Sequence, residues 1–350
     1  MTAKLTYTTA ICTRNRPDAL ALTLPYHIAE ARAPERVVII DSSDDPSEDI
    51  ATVERLAKDA PMPVEHITSE SGLAYQRNLI LPQLTTDVVF FPDDDSLIEP
   101  GAMEAVMRIY ERDTEKRIAG VAPRELFTPI GPLKSEADEA YEKTTSDKIK
   151  NAIAAPRYKI EKAVIGDPFV EVANIKYARQ PAPPAWLDDA DATVVPWNTG
   201  FRMSFRTESI RRKGFHEPLG RYALFEDIDA GFQTLDQQIL VTIQNVGIYH
   251  HKAPARRANG RALGAMHILN RAYVCARSGE GQNPKVRSAM KRFSLYKLAQ
   301  YAVGARGDFG KERLQGARAA SKVAGKLLTT PQDQLEARYL EFRTQIFTSE

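Results

Sequence analysis

The stretch Val88-Val89-Phe90-Phe91-Pro92-Asp93-Asp94-Asp95-Ser96 decides how the rest of the chain is read. Its four apolar residues predict a short strand buried on both faces, with three consecutive carboxylates at the C-terminal end. Adjacent like charges repel, so such a cluster is stable where it is solvated or where it holds a cation. Strand tips of an α/β sheet are also where ligands bind. The plainer alternative is an acidic loop, or a cap ahead of a helix that begins near Pro100.

Outward from this stretch, residues 7–123 alternate strand and helix signals. Tyr7–Thr13, Arg36–Asp41, Val64–Ile67 and Ile118–Pro123 read as strands, and helices are predicted over 17–33, 49–59, 73–81 and 101–111. Buried strands interleaved with helices argue for a parallel sheet of the nucleotide-binding type. From Arg124 to Ala192 the pattern loosens, and the segment reads as an insertion or excursion over the sheet. Order returns with 193–205, a helix from Glu226 to Thr234 and a long strand from Ile239 to His250. Helical patterns then cover 262–277, 286–303, 311–328 and 331–347. The expected division is a catalytic domain over 1–255 and a basic helical region over 256–350.

Composition is that of a globular protein, 43% hydrophobic and 27% charged over 350 residues. The two cysteines, Cys12 and Cys275, suggest neither a disulfide framework nor a zinc site, so a reducing cytosol is expected. Strand signals close to Met1 leave no room for a signal peptide, and no apolar run has the length of a membrane span. The net charge of +1 conceals an asymmetry: residues 251–330 hold 17 Lys and Arg against Glu280, Asp308 and Glu312, a local +14 that leaves −13 elsewhere. An acidic body with a basic tail implies two surfaces with different partners.

The first two strands end in Thr13-Arg14-Asn15-Arg16-Pro17 and Asp41-Ser42-Ser43-Asp44-Asp45, which a parallel sheet brings to the same edge as the acidic triplet. Aspartate there can accept hydrogen bonds from a base or ribose and arginine can pair with phosphate, although these residue types also populate turns. There is no Gly-rich phosphate loop, so bound phosphates would need a metal and arginines. Arg77, within Gly72-Leu73-Ala74-Tyr75-Gln76-Arg77-Asn78, is a candidate; its alternative is a solvated cation on a helix surface. Phe225-Glu226-Asp227-Ile228-Asp229 opens a helix where the dipole favours anions, and one of its carboxylates could serve as a general base. Ile248-Tyr249-His250-His251 closes a strand with two imidazoles, each either a metal ligand or a polar edge residue.

In this order, TRNRP, VVIIDSS, GLAYQRN, FFPDDDS, WNTGFRMSFR, FEDIDAGF and YHH resemble family 2 glycosyltransferases of the GT-A fold, over about Tyr7 to His251. The resemblance implies an α/β, Rossmann-like nucleotide-binding mixed sheet flanked by helices, with a C-terminal helical region. It implies an inverting, metal-dependent transfer of a hexosyl or deoxyhexosyl group from a UDP-, dTDP- or GDP-sugar to a glycan or lipid-linked acceptor, in bacterial surface polysaccharide synthesis. By similarity Thr13 and Arg16 line the nucleotide, Asp41 contacts base or ribose, and Arg77 approaches the diphosphate or sugar. Asp93 and Asp95 match the Asp-x-Asp element that holds Mg²⁺ or Mn²⁺ and ribose, with Asp94 completing the triplet and Asp95 the expected direct ligand. His250 matches a further metal ligand, with His251 as the other register. Asp227 matches the catalytic base, Glu226 or Asp229 orients the acceptor, and Trp197 and Asn198 lie on the acceptor side.

For the tail, two expectations stand. Phe293, Leu295, Tyr296, Leu298 and Tyr301 beside Arg287, Lys291, Arg292 and Lys297 fit a peripheral module on an anionic membrane surface, at the cytoplasmic face. Otherwise the helices pack on the sheet or form a contact between two copies. A nucleotidyltransferase acting on a sugar phosphate would use the triplet but not the Asp227 element. A polyanion-binding protein would use only the tail and leave the triplet unexplained, so no nucleic-acid partner is expected.

Overall fold

The structure, a computed structural model, describes residues 4–130, 165–252 and 259–348. In chain order its elements begin with β1 (Tyr7–Thr13), α1 (Pro17–Ile28), β2 (Arg36–Asp41), α2 (Ser47–Ala57) and β3 (Val64–Thr68). There follow α3 (Leu73–Ile80), β4 (Val88–Pro92), β5 (Ser96–Ile98), α4 (Ala102–Arg112), β6 (Ile118–Leu126) and α5 (Pro168–Tyr177). Next come α6 (Trp186–Asp189), β7 (Ala192–Val194), β8 (Arg202–Arg206), α7 (Thr207–Arg211), α8 (Glu226–Thr234) and β9 (Ile239–His250). The chain ends in α9 (Gly260–Cys275), α10 (Pro284–Val303), α11 (Gly307–Thr329) and α12 (Gln332–Thr348). It divides into two compact units, residues 1–138 with 180–255 and residues 139–179 with 256–350.

The first unit is built on a mixed nine-stranded sheet in the order β3-β2-β1-β4-β8-β6-β9-β5, with β7 also on β9. β1 to β4 pair in parallel, β8 runs antiparallel to β4 and β6, and β6 and β9 are parallel. Val37 to Ile40 and Val88 to Phe91 are buried completely, as continuous apolar strands covered on both faces must be. The chain moves from β1 outward to β3, then returns to place β4 on the other side of β1. That reversal opens a crevice at the C-terminal ends of β1 and β4. Helix α1 stops at Ile28 instead of running to residue 33, because Glu30 turns to accept the Gly101 and Met103 amides (2.6 and 2.7 Å) at the start of α4. β5 is too short to register in the pattern; it pairs Ser96–Ile98 with Ile248–His250 of β9 and so carries the chain after the triplet to the tip of β9.

Of the segment expected as an insertion, residues 131–164 lie outside the described residues. β6 continues to Leu126, α6 and β7 belong to the sheet unit, and α5 groups with the C-terminal helices.

In the helical unit, side chains cap the starts of three helices: Asp167 accepts the Phe169 amide, Asn259 that of Ala262 and Asn283 that of Lys285. α9 and α11 meet backbone to backbone. A β-carbon on Gly264 would sit 1.9 Å from the Arg313 carbonyl oxygen, and one on Gly316 would sit 1.9 Å from that of Arg261. Arg271 is sandwiched between Phe169 and Phe293 (4.1 and 4.2 Å from the ring centres) and ion-paired with Asp167. Phe293 and Tyr301 are therefore core residues and not part of a lipid-facing surface, while Leu295 stays exposed. Among the described residues no helix is long and apolar enough to cross a membrane.

Candidate active site

The crevice collects side chains from every element that ends beside it. Beyond Pro92, Asp93 is bridged to Cys12 of β1, and the chain then turns through Asp94 and Asp95, closed by the Ser96 amide donating to the Asp93 carbonyl at 3.1 Å. The triplet is split accordingly. Asp93 and Asp95 face His250, whose Nε2 lies 3.1 Å from Asp95 Oδ1 and 3.9 Å from Asp93 Oδ2. Asp94 turns inward, accepting from Thr13 Oγ1 at 2.8 Å and from Arg16 Nη1 at 2.6 Å. Arg16 also reaches Asp95 Oδ2 at 2.6 Å. Thr13 and Arg16, expected along the nucleotide, thus hold two of the carboxylates in place.

Electrostatics follow from burial and from these partners. Burial pushes the Asp94 carboxyl up to about 7, against the opposing pull of Arg16. Burial acts on Asp95 too, but the His250 hydrogen bond and the His250 and Arg16 charges outweigh it and hold the group at about 2. His250 is lowered by burial and raised by Asp95 and Asp93, and the acids prevail. Its imidazole stacks on Phe201 (centroids 4.7 Å, 12° between planes). His251 takes a different part: its amide donates to the Asp95 carbonyl at 3.0 Å. One donor atom from each of Asp93, Asp95 and His250 lies within 4.8 Å of the others, a two-carboxylate, one-imidazole set suited to Mn²⁺ or Mg²⁺.

Arg77 is no surface cation; it is 1% exposed. Its guanidinium pairs with Glu226 through Nη1, and through Nη2 reaches Asp93 Oδ1 and the Gly200 carbonyl, both at 3.2 Å. The amide of the same Gly200 donates to Asp227 Oδ2 at 2.8 Å, while Asp227 Oδ1 accepts from Ile228 N at 2.9 Å. Arg77 and Gly200 therefore tie the metal-type cluster to the acidic start of α8 in one crevice. Burial raises Glu226 to about 8 in spite of Arg77. It also raises Asp227, with the two amides pulling the other way.

The remaining candidates lie around this centre. Asp41 is buried, accepting the Ser43 amide at 2.8 Å with His66 Nε2 3.0 Å away. Asp229 is fully buried. Asn198 is buried beside Thr242, and Trp197 is half-buried. Gly200, Phe201, His66 and Gln76 were not singled out from sequence. Gln76 donates to the carbonyls of Thr13 and Ile40 and so locks the ends of β1 and β2 together. Gly200 and Phe201 carried a signal in their place inside WNTGFRMSFR, and Gln76 in its place inside GLAYQRN; His66 carried none.

Residues 8–127 match the family described as glycosyl transferase family 2. No curated protein sequence matches the chain. Among solved structures, the mannosyltransferase PcManGT from Pyrobaculum calidifontis, in complex with GDP-Man and Mn²⁺, is similar over 100% of this chain and 89% of its own, at 17% identity and TM-score 0.52. S. aureus TarS 1–349 in complex with UDP-GlcNAc is similar over 97% of this chain and 91% of its own, at 11% identity and TM-score 0.51. GalNAc-T7 with UDP, GalNAc and Mn²⁺ gives 11% identity and TM-score 0.54 over 99% of this chain, which spans 59% of that protein. At these identities the likeness is one of fold. Residues 8–127 thus resemble glycosyl transferase family 2, and the fold is the GT-A fold of these solved glycosyltransferases.

Proposed function

We propose that this protein transfers a hexosyl or deoxyhexosyl group from a nucleoside-diphosphate sugar to a hydroxyl of a glycan or lipid-linked acceptor, with inversion, in bacterial surface polysaccharide synthesis. One observation carries the reading: Asp93, Asp95 and His250 share a crevice with Asp227, coupled to it through Arg77 and Gly200. Asp93, Asp95 and His250 would hold Mn²⁺ or Mg²⁺, which when bound neutralises charge on the departing nucleoside diphosphate. The nucleotide lies over the ends of β1 and β2, beside Asp41, Thr13 and Arg16. Asp227 takes the proton of the acceptor hydroxyl, and two backbone amides fix the orientation of its carboxylate. Its burial favours that role, since a raised carboxyl is a stronger base. The acceptor oxygen attacks the anomeric carbon opposite the leaving group, with Trp197 and Asn198 on the acceptor side and Glu226 and Asp229 behind Asp227.

The proposed setting is the cytoplasmic face of the membrane, reached peripherally. The basic tail region supports it, as do the exposed apolar side chains Leu295, Val303 and Phe309.

A screen of UDP-, dTDP- and GDP-sugars with Mn²⁺, read by thermal shift and slow donor hydrolysis, tests the reading. Asp95→Ala is expected to abolish the metal-dependent shift. Asp227→Asn is expected to keep donor binding and lose transfer; wild-type transfer by that variant would remove Asp227 from the role of base.

A further inference from the structure

The helical unit carries a feature that the transfer reaction does not use. An open groove of about 570 Å³ lies between α10 and α11, lined by Arg287, Lys291 and Leu295 on one side and Ala324, Gly325 and Leu328 on the other. That is the size of a small-molecule site rather than a packing defect. Arg287, Lys291 and Leu295 follow one another at single-turn spacing, so two cations and an apolar side chain line the same wall. Arg287 and Lys291 are exposed, and neither has an ion-pair partner among the described residues. The surroundings reinforce the sign. α10 carries Lys285, Arg287, Lys291, Arg292 and Lys297 with no acid, and the stretch of α11 from Arg313 to Thr329 carries Arg313, Arg318, Lys322 and Lys326 with no acid.

Gly325 makes the groove deep at this point. A helix interior disfavours glycine, and a β-carbon here would meet nothing within 4 Å. Leu295, 60% exposed, lines the wall as an apolar side chain in contact with solvent. Charge complementarity thus calls for an anion at Arg287 and Lys291, and the apolar remainder of the wall calls for hydrocarbon beside it.

We infer that the groove between α10 and α11 seats the phosphate headgroup and adjoining chain of an anionic membrane lipid. The inference rests on the membrane placement proposed above and adds to it a defined seat, as distinct from a diffuse polybasic attraction.

The test is co-sedimentation of the full chain with vesicles of phosphatidylcholine and phosphatidylglycerol in equal parts, and with phosphatidylcholine alone. Wild type is expected to bind the mixed vesicles and not the neutral ones. The double variant Arg287→Gln/Lys291→Gln is expected to bind about 20-fold more weakly, from about fivefold per cation near an anionic surface. Gly325→Leu fills the groove with every charge intact, and helix propensity favours the substitution, so folding is not at stake. It is expected to bind roughly as weakly as a variant lacking one cation, about fivefold below wild type, while Gly325→Ala binds as wild type. Unchanged binding by Gly325→Leu would overturn the seat and leave only diffuse attraction. Displacement by inorganic phosphate would overturn the lipid as occupant. Failure of wild type to bind mixed vesicles would overturn the membrane placement as well. Metal-dependent donor hydrolysis, measured alongside, is expected to be equal in wild type and all these variants. Its absence from wild type bears on the transfer reading alone.

Discussion

Removing Arg77 separates what holds the crevice together from what happens in it. In Arg77→Met the guanidinium is lost from a position 1% exposed, where it joins Glu226, Asp93 and the Gly200 carbonyl and lies 5.9 and 5.5 Å from the ring centres of Phe91 and Phe215. Methionine fills much of that space, so the cost is mainly electrostatic. Breaking one side of a buried ion pair costs about 3–5 kcal/mol, because the remaining charge is left in a poor solvent. Burial raises the Glu226 carboxyl and Arg77 alone opposes that rise through its charge and hydrogen bond, so without the arginine Glu226 is neutral and the loss falls toward the lower end of that range. Replacing both partners by apolar groups removes the desolvation cost together with the attraction. Arg77→Met/Glu226→Leu is therefore expected to recover most of the stability lost by Arg77→Met alone. The assay is urea unfolding followed by tryptophan fluorescence. The chain has two tryptophans, Trp186 and Trp197, both in the sheet unit, so the signal reports that unit alone. Activity is expected to stay low in the stable double variant, since Asp93 and Gly200 have lost the group that ties them together. A loss below about 1 kcal/mol in Arg77→Met, or a double variant no more stable than the single, would refute the reasoning.

Three further outcomes follow from particular contacts. His27 is buried with Nε2 3.1 Å from the Ser96 carbonyl, and burial lowers it from 6.5 to about 4. The unfolded chain therefore binds the extra proton first, so stability is full above pH 6.5 and falls by about 3 kcal/mol as the pH drops to about 4; His27→Gln, which keeps a donor to Ser96, should flatten that part of the pH profile, and an unaltered slope would contradict it. Gly264→Ala drives a β-carbon into the Arg313 backbone and should cost about 1–3 kcal/mol or more, whereas Gly325→Ala on the open side of α11 should be neutral or slightly stabilising; thermal unfolding of the two variants distinguishes a tight helix crossing from a loose one. Asp94→Asn keeps one oxygen to accept from Arg16 and can donate its new amide to Thr13 Oγ1, a hydroxyl that accepts as well as donates, so it should leave Mn²⁺ affinity little changed in calorimetry, whereas Asp95→Ala should cost more than the roughly 10- to 100-fold of a lost outer partner.

Short-range pattern was enough to reveal most of the elements, though not β5, α5 or α6. The bounds of β1, β2, β4, α8 and β9 follow from runs of apolar residues and from the acids that open α8, because strand and helix periodicity are local properties of the chain. The acidic triplet at a strand tip, and its company of strand-end motifs, likewise marked the sheet edge where these side chains gather. The division of labour inside that crevice was not local. Asp94 differs from Asp93 and Asp95 only because the turn between β4 and β5 aims it at Thr13 and Arg16, and His250 is distinguished from His251 by its approach to Asp95 and Asp93. Arg77 reads in sequence as one more cation on a helix; burial against Glu226, 149 residues away, makes it the tie between two acidic centres. The glycine crossing of α9 and α11 and the open glycine at 325 look alike in composition, and only the approach of a second helix tells them apart. Sequence determined which segments form and where charge collects. The tertiary structure decided which charges face one another, because burial and partners some 150 residues apart along the chain are set by packing and by nothing shorter.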